Sequence, residues 1–283
     1  MCGRYVRMAV CAVAACVAAS AKASACQAAF AGAEGKVRPF SVGPDVFDPT
    51  GGHIQGIAAS EDALYVAQMT QIVKLDWSGK LLAKRKALSH TGDIAWHGGE
   101  LYAAVAVYPN RKEGRIQVYD KDLNLVRETT VDRTIDGIAC ADGVLYVGMG
   151  ARDQPSSKPH RVNIIGRFDA KTLKEIAPRA EFDYGYETKY GFQNIVFDGD
   201  CLYASFYAVN GAPKTAVFGR SLELRGTHKM GANQGFDILP ASMRKPGARF
   251  VMATTKLEKS PQSVSCTFRF FDFEAGVRSA KGE

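Results

Sequence analysis

An isoleucine followed seven residues later by a Leu-Tyr pair recurs four times along this 283-residue chain. The copies are "HIQGIAASEDALYVA" from His53, "HTGDIAWHGGELYAA" from His90, "TIDGIACADGVLYVG" from Thr134 and "GFQNIVFDGDCLYAS" from Gly191. Their anchors are Ile57, Ile94, Ile138 and Ile195, and the paired leucines are Leu64, Leu101, Leu145 and Leu202. A looser fifth copy, "QGFDILPASMRKPGARFVMAT", has Ile238 as its anchor and a longer turn. Between the two halves of the first four stand "SEDA", "HGGE", "ADGV" and "DGDC". These are the Gly- and Asp-rich segments of tight hairpin turns, which need backbone conformations that other residues resist. A unit repeated in this way cannot bury its apolar face alone and must stack on its neighbours.

After each hairpin come a variable loop and a third β-like run: "QIVKLDW", "RIQVYD", "NIIGRFD", "AVFGRS" and "SCTFRFFDF". Short polar turns then lead to fourth runs such as "LLAKRKA", "LVRETTV" and "EIAPRAEF". Four strands per repeat, with anchors 37, 44, 57 and 43 residues apart, predict an all-β fold. The expected form is a single five-bladed β-propeller of four-stranded blades over residues 36–275, with 276–283 as a C-terminal tail. The fifth repeat lacks a fourth strand of its own. "KVRPFSV", at Lys36–Val42, has strand character and is expected to close the ring as the outer strand of the last blade. That would cover an edge otherwise left open.

The segment "GRIQVYDKDLNLV", which follows "GGELYAAV", resembles the NHL repeat, and "TIDGIACADGVLYVG" resembles gluconolactonase-type propellers. The resemblance implies a propeller and, through the second family, a metal-dependent lactonase-like hydrolase as one functional reading. The sequence has no sialidase Asp-box, WD dipeptide or YWTD motif.

The N-terminus reads as an export signal. "MCGRYVR" carries Arg4 and Arg7 without an acid, "MAVCAVAACVAASA" is a short apolar run, and "ASA" at 23–25 offers small residues for cleavage. The run is too short to span a bilayer, so no transmembrane segment is expected once residues 1–25 are removed. Cleavage as late as residue 31, in "AFA", is also open. The mature protein is expected to be secreted or periplasmic, with lipoprotein anchoring through Cys26 as a further option. Loss of Arg4, Arg7 and Lys22 lowers the formal charge from +7 to +4. No Lys/Arg run remains, which argues against nucleic acid as a partner. Of the remaining Cys26, Cys140, Cys201 and Cys266, a Cys140–Cys201 disulfide is permitted in an exported protein. Buried free thiols are the reading taken.

Propeller chemistry gathers where the first strands begin and where the second-to-third loops lie, because rigid blades present those loops on one face. Just before the anchors lie His53 and Gln55, His90 and Asp93, Thr134 and Asp136, Gln193 and Asn194, and Gln234 and Asp237. The loops add Tyr108, Asn110, Arg111, Arg152, His160, Arg161, Tyr207, Lys214 and Lys256. "DYGYETKYGFQ" (183–193) is expected to be a further loop carrying Tyr184, Tyr186, Lys189 and Tyr190. Tyrosine faces stack on sugar rings, and Arg or Lys pairs with carboxylate or sulfate, so a carbohydrate is the expected ligand and an acidic glycan the favoured one.

Two catalytic schemes fit these residue types. Asp93, Asp136 and Asp237 would supply an acid and a base or nucleophile, as paired carboxylates do in glycosidases, with His90 beside them. Alternatively, His53, His90 and His160 would hold one divalent metal ion that activates water or a uronate α-proton. A non-catalytic glycan- or protein-binding propeller stands beside both. His97, in the hairpin turn, is expected on the opposite face.

Overall fold

The computed structural model describes residues 40–88, 90–107, 112–150, 158–232, 234–259 and 262–273. The proposed signal sequence, Cys26, residues 36–39 and the tail lie outside them. Within them there is no α-helix, only a 3-10 turn at Ala241–Met243, and hence no helix long and apolar enough to cross a membrane.

The first repeat folds as an antiparallel sheet of β2 (Ile54–Ala59), β3 (Leu64–Gln68), β4 (Gln71–Leu75) and β5 (Leu81–Lys86). The second is β6 (Thr91–His97), β7 (Glu100–Ala106), β8 (Gly114–Tyr119) and β9 (Leu125–Val131). The third and fourth form one seven-stranded sheet: β10 (Ile135–Ala141), β11 (Val144–Met149), β12 (His160–Asp169), β13 (Glu175–Asp198), β14 (Cys201–Ala208), β15 (Thr215–Gly219) and β16 (Leu224–His228). The last comprises β17 (Phe236–Ile238), β18 (Phe250–Lys259) and β19 (Gln262–Phe271), and β1 (Phe40–Val42) pairs on the outside of β19. The expected closure by an N-terminal strand is therefore present: Phe40, Ser41 and Val42 stand opposite Phe268, Thr267 and Cys266.

The hairpin turns follow from their glycines. Gly98 and Gly99 have φ of 59° and 87°, and Asp142 and Gly143 have φ of 50° and 75°, the left-handed pair a two-residue turn needs. The anchors Ile57, Ile94, Ile138 and Ile195 and the four paired leucines are buried. They pack between sheets rather than within them. One apolar cluster joins Ala58, Tyr65 and Ile72 of the first sheet to Ile94 and Leu101 of the second. Others join the second repeat to the third, the third to the fourth and the fourth to the last. A final cluster brings Val251, Val264 and Phe268 back against Ile57, Leu64 and Val66. The clusters thus run in a closed circle, which makes the molecule a propeller. Each fully buried leucine or isoleucine contributes about 1.5–3 kcal/mol.

Two loop expectations need correction. Residues 183–193 are not a loop, because β13 runs unbroken for 24 residues and serves as the outer strand of the third repeat and the inner strand of the fourth. Alternating side chains along "EFDYGYETKYGF" let it pair with β12 at one end and β14 at the other. Likewise "TKLEKSPQ" is largely strand: Lys256 pairs with Ser265, and the β18–β19 ladder continues to Lys259 opposite Gln262. The free-thiol reading also needs amending. Cys201 is disulfide-bonded, whereas Cys140 and Cys266 are free. Burial pushes both free thiols up to about 12, so they stay protonated and unreactive.

Candidate functional site

The inner strands β2, β6, β10, β13 and β17 line the axis, and the residue just before each anchor forms one layer across it. In order these are Gly56, Asp93, Gly137, Asn194 and Asp237. Small and polar residues interlock here. Asp93 Oδ2 accepts the backbone N–H of Ile195 at 2.9 Å and of Ile138 at 3.2 Å, tying the second repeat to the third and fourth. Asn194 donates to Gln55 O at 2.8 Å and accepts from Gly235 N at 3.2 Å, tying the fourth to the first and last. Asp237 accepts from Ala59 N at 2.7 Å and from Ile238 N at 2.7 Å.

The glycines make this convergence possible. A Cβ on Gly56 would lie 2.5 Å from Asp93 Cα, and one on Gly235 2.8 Å from backbone atoms of Gly56 and Ile57. This layer therefore forms a closely packed floor between the inner strands. Gly56→Ala is expected to lower stability by about 1–3 kcal/mol, read as a lower urea midpoint with an unchanged slope. An unchanged midpoint would show that the inner strands have room to spare.

Above the floor the chain departs from regular pairing. Register shifts interrupt β2 between Ile54 and Gly56, β6 between Thr91 and Ile94, β10 between Ile135 and Ile138, and β13 around Phe192. Such bulges re-aim side chains, and here they separate the floor from the strand starts above it. Between the floor and those strand starts are Gln55, Asp136 and Gln193, all largely buried. Gln193 Nε2 donates to Tyr190 O at 3.1 Å.

Four residues before the anchors stand His53, His90, Thr134, Gly191 and Gln234. His90 Nε2 lies 3.5 Å from Asp136 Oδ1, joining the second repeat to the third. His90 has φ of 60°, a conformation costly for a residue with a Cβ. Its neighbours fix it, since Ala106 N donates to His90 O at 3.1 Å and Thr91 N to Met69 O at 3.0 Å. His53 Nε2 is buried and has no hydrogen-bond partner among the described residues. Its pKa is lowered by burial first and by the neighbouring His90 second, which favours the neutral ring. The adjoining strand start is pinned by Ile54 N donating to Thr255 Oγ1 at 3.0 Å, and Thr255 N donates to Gln234 Oε1 at 2.7 Å.

The sequence candidates thus divide. Asp93, Asn194 and Asp237 are bound to backbone groups in the floor, whereas His53, Gln55, His90, Asp136 and Gln193 lie in the strand starts above it, with His90 facing Asp136. Burial raises the carboxyl of Asp93 well above its usual range and that of Asp237 to about 7. Tyr190 and Tyr207 meet edge to face, ring centres 5.6 Å apart, at the upper end of β13 and β14. Arg161 forms a surface ion pair with Asp183 at 3.1 Å. Tyr108 and Arg111 lie outside the described residues.

The three-histidine metal site is not assembled. His160 is held locally by Lys158 O at 3.0 Å and by Thr188, and no group of three His, Cys, Asp or Glu among the described residues is placed to hold a metal ion. A hollow of about 500 Å³ lies at the turn end of the second and third repeats, lined by residues that include His97, Glu100, Arg127 and Lys171. Its central charges satisfy each other: Arg127 donates twice to Glu100 and once to Ala170 O. Sequence reading missed the division between the floor and the strand starts above it. The available signal was the glycine one or two places before the anchors, at Gly56, Gly92 and Gly137.

No family model matches the chain, and no curated protein matches it. Among solved structures it is similar to a glutaminyl cyclase from Myxococcus xanthus, at 10% identity and TM-score 0.49, covering 83% of this chain and 95% of that one. It is similar to the GH43_1 enzyme from Xanthomonas citri complexed with xylose, at 12% identity and TM-score 0.49, covering 77% and 87%. It is also similar to the Pan2 WD40 domain of Neurospora crassa, at 11% identity and TM-score 0.43, covering 78% and 65%. The propeller assignment rests on the strand order and the circle of cores described above.

Proposed function

We propose that this is an exported propeller that binds an acidic glycan in the axial mouth and cleaves it, with His90 as the proton-transfer residue and Asp136 as its support. One arrangement carries the reading: His53, His90 and Asp136 come from three successive sheets to one rim, with Gln55 and Gln193 beneath them. Imidazole changes charge near neutral pH, which suits it to giving and taking protons. A carboxylate beside it orients the ring and stabilises the positive charge it gains. The glutamine amides offer donors to sugar hydroxyls or carboxylates, and the Tyr190–Tyr207 corner offers a ring face. The positive charge expected of the mature chain favours an anionic ligand. This reading leaves Asp93 and Asp237 to the scaffold.

The test is the mature protein with a panel of uronic-acid oligosaccharides, followed by calorimetry and product analysis. His90→Ala is expected to lower turnover by about 100-fold or more while keeping affinity within a few-fold. A parent protein that binds no acidic glycan would overturn the reading. Binding without turnover would convert it to the non-catalytic alternative.

A further inference from the structure

His53 and His90 occupy the same register in adjacent repeats, four residues before Ile57 and Ile94. Their surroundings differ in a way that divides labour. His90 Nε2 faces the Asp136 carboxylate at 3.5 Å. His53 has no described carboxylate in ion-pair contact, and its Nε2 is buried without a partner among the described residues. Leaving a buried polar atom unbonded is costly, so the His53 ring nitrogen is open to a partner that enters the site. Two close imidazoles resist carrying two charges. The two imidazoles thus differ in partner: His90 faces a carboxylate, and His53 Nε2 is unbonded among the described residues.

We propose that His53 is the general base, and His90 the general acid, of a β-elimination that cleaves a 4-linked uronic-acid glycan. The inference rests on the glycan-cleaving reading above. His53 Nε2 takes the C5 proton, which the neighbouring carboxyl group acidifies. The C5–H electron pair forms the C4–C5 double bond, and the C4–O bond breaks toward the leaving sugar. His90 gives its proton to the departing oxygen. The substrate is neither oxidised nor reduced and no water is consumed. His53 ends protonated and His90 neutral, and proton exchange between the rings or with solvent resets the pair. The amides of Gln55 and Gln193, both largely buried, would donate to the uronate carboxylate as negative charge develops there. Glycosidase-type hydrolysis, by contrast, uses two carboxyl groups. Here Asp93 and Asp237 accept backbone N–H bonds and Asp136 faces His90.

The experiment uses the mature chain with a 4-linked uronate oligosaccharide in deuterated solvent. It follows the unsaturated product by absorbance and C5 deuteration by mass spectrometry. His53→Gln is expected to lose both product and C5 exchange by about 100-fold or more, with calorimetric affinity retained as the control for folding. His90→Gln is expected to lose product while keeping C5 exchange. Cleavage that incorporates solvent oxygen, with no unsaturated product, would overturn the elimination and leave glycan cleavage standing. His53→Gln with parental turnover would likewise overturn it. A parent that binds no uronate would instead remove the underlying reading.

Discussion

Replacing Asp93 with alanine is expected to lower folding stability by about 2–6 kcal/mol, since two buried backbone donors lose their acceptor at about 1–3 kcal/mol each. Those donors, Ile138 N and Ile195 N, belong to the third and fourth repeats, so one carboxyl on the second repeat holds three inner strands at the axis. Its other oxygen, Oδ1, has no hydrogen bond of normal geometry. Asp93→Asn keeps the two backbone bonds through its carbonyl oxygen and gives up only the approach of the Asn194 amide to the carboxylate.

The two variants thus separate geometry from charge. Burial raises the Asp93 carboxyl, and the N–H of Ile195, the Asn194 amide and the N–H of Ile138 oppose it in that order. With the folded pKa above the unfolded one, the parent is favoured most below the usual carboxylate range and loses stability as pH rises toward the folded value. Asp93→Asn is expected to escape that loss and to exceed the parent at neutral pH. Urea unfolding at acidic and neutral pH measures both effects. An Asp93→Ala midpoint equivalent to less than about 1 kcal/mol below the parent would show that the floor does not hold the ring.

A second large effect is expected from Asp237, whose carboxyl is pushed up to about 7 chiefly by burial, against the N–H groups of Ala59 and Ile238 and the charge of Arg244. Relative to the ordinary value of 3.8, the full linkage is on the order of 4 kcal/mol at 1.36 kcal/mol per unit. The residue keeps some solvent contact, so roughly 2–4 kcal/mol is the expected span. The sign follows from the raised value: stability is highest near pH 4, falls as pH climbs to about 7, and levels off above. Asp237→Asn gives up one of two N–H bonds and is expected to be slightly weaker than the parent at acidic pH and stronger at alkaline pH. Parallel curves for parent and variant across that window would exclude the assignment.

These effects share a cause with the arrangement of the strand starts above. The floor sets the distance between inner strands, and next to it the register shifts of β6 and β10 bring His90 against Asp136. The placing of His53, His90 and Asp136 therefore depends on hydrogen bonds made by other residues.

The sequence by itself determined the strand repeat, the hairpin turns and the closing strand. Each is written in local periodicity: an isoleucine and a Leu-Tyr pair at constant spacing, left-handed glycines between them, and a β-like run at Phe40–Val42 before the first repeat. It also marked which short stretches converge on the axis. Only the tertiary structure decided that Asp93, Asn194 and Asp237 bind backbone while His90 meets Asp136 from the next repeat. Side chains alternate along a strand, so a single-residue bulge reverses the face they take. The partners involved, such as Asp93 with Ile195, are 102 residues apart in the chain. The same holds for β13: "DYGYETKYGFQ" has the polar, glycine-bearing look of a loop, and its pairing with β12 and then β14 makes it strand. Local composition cannot encode which neighbours a segment will find once a ring has closed.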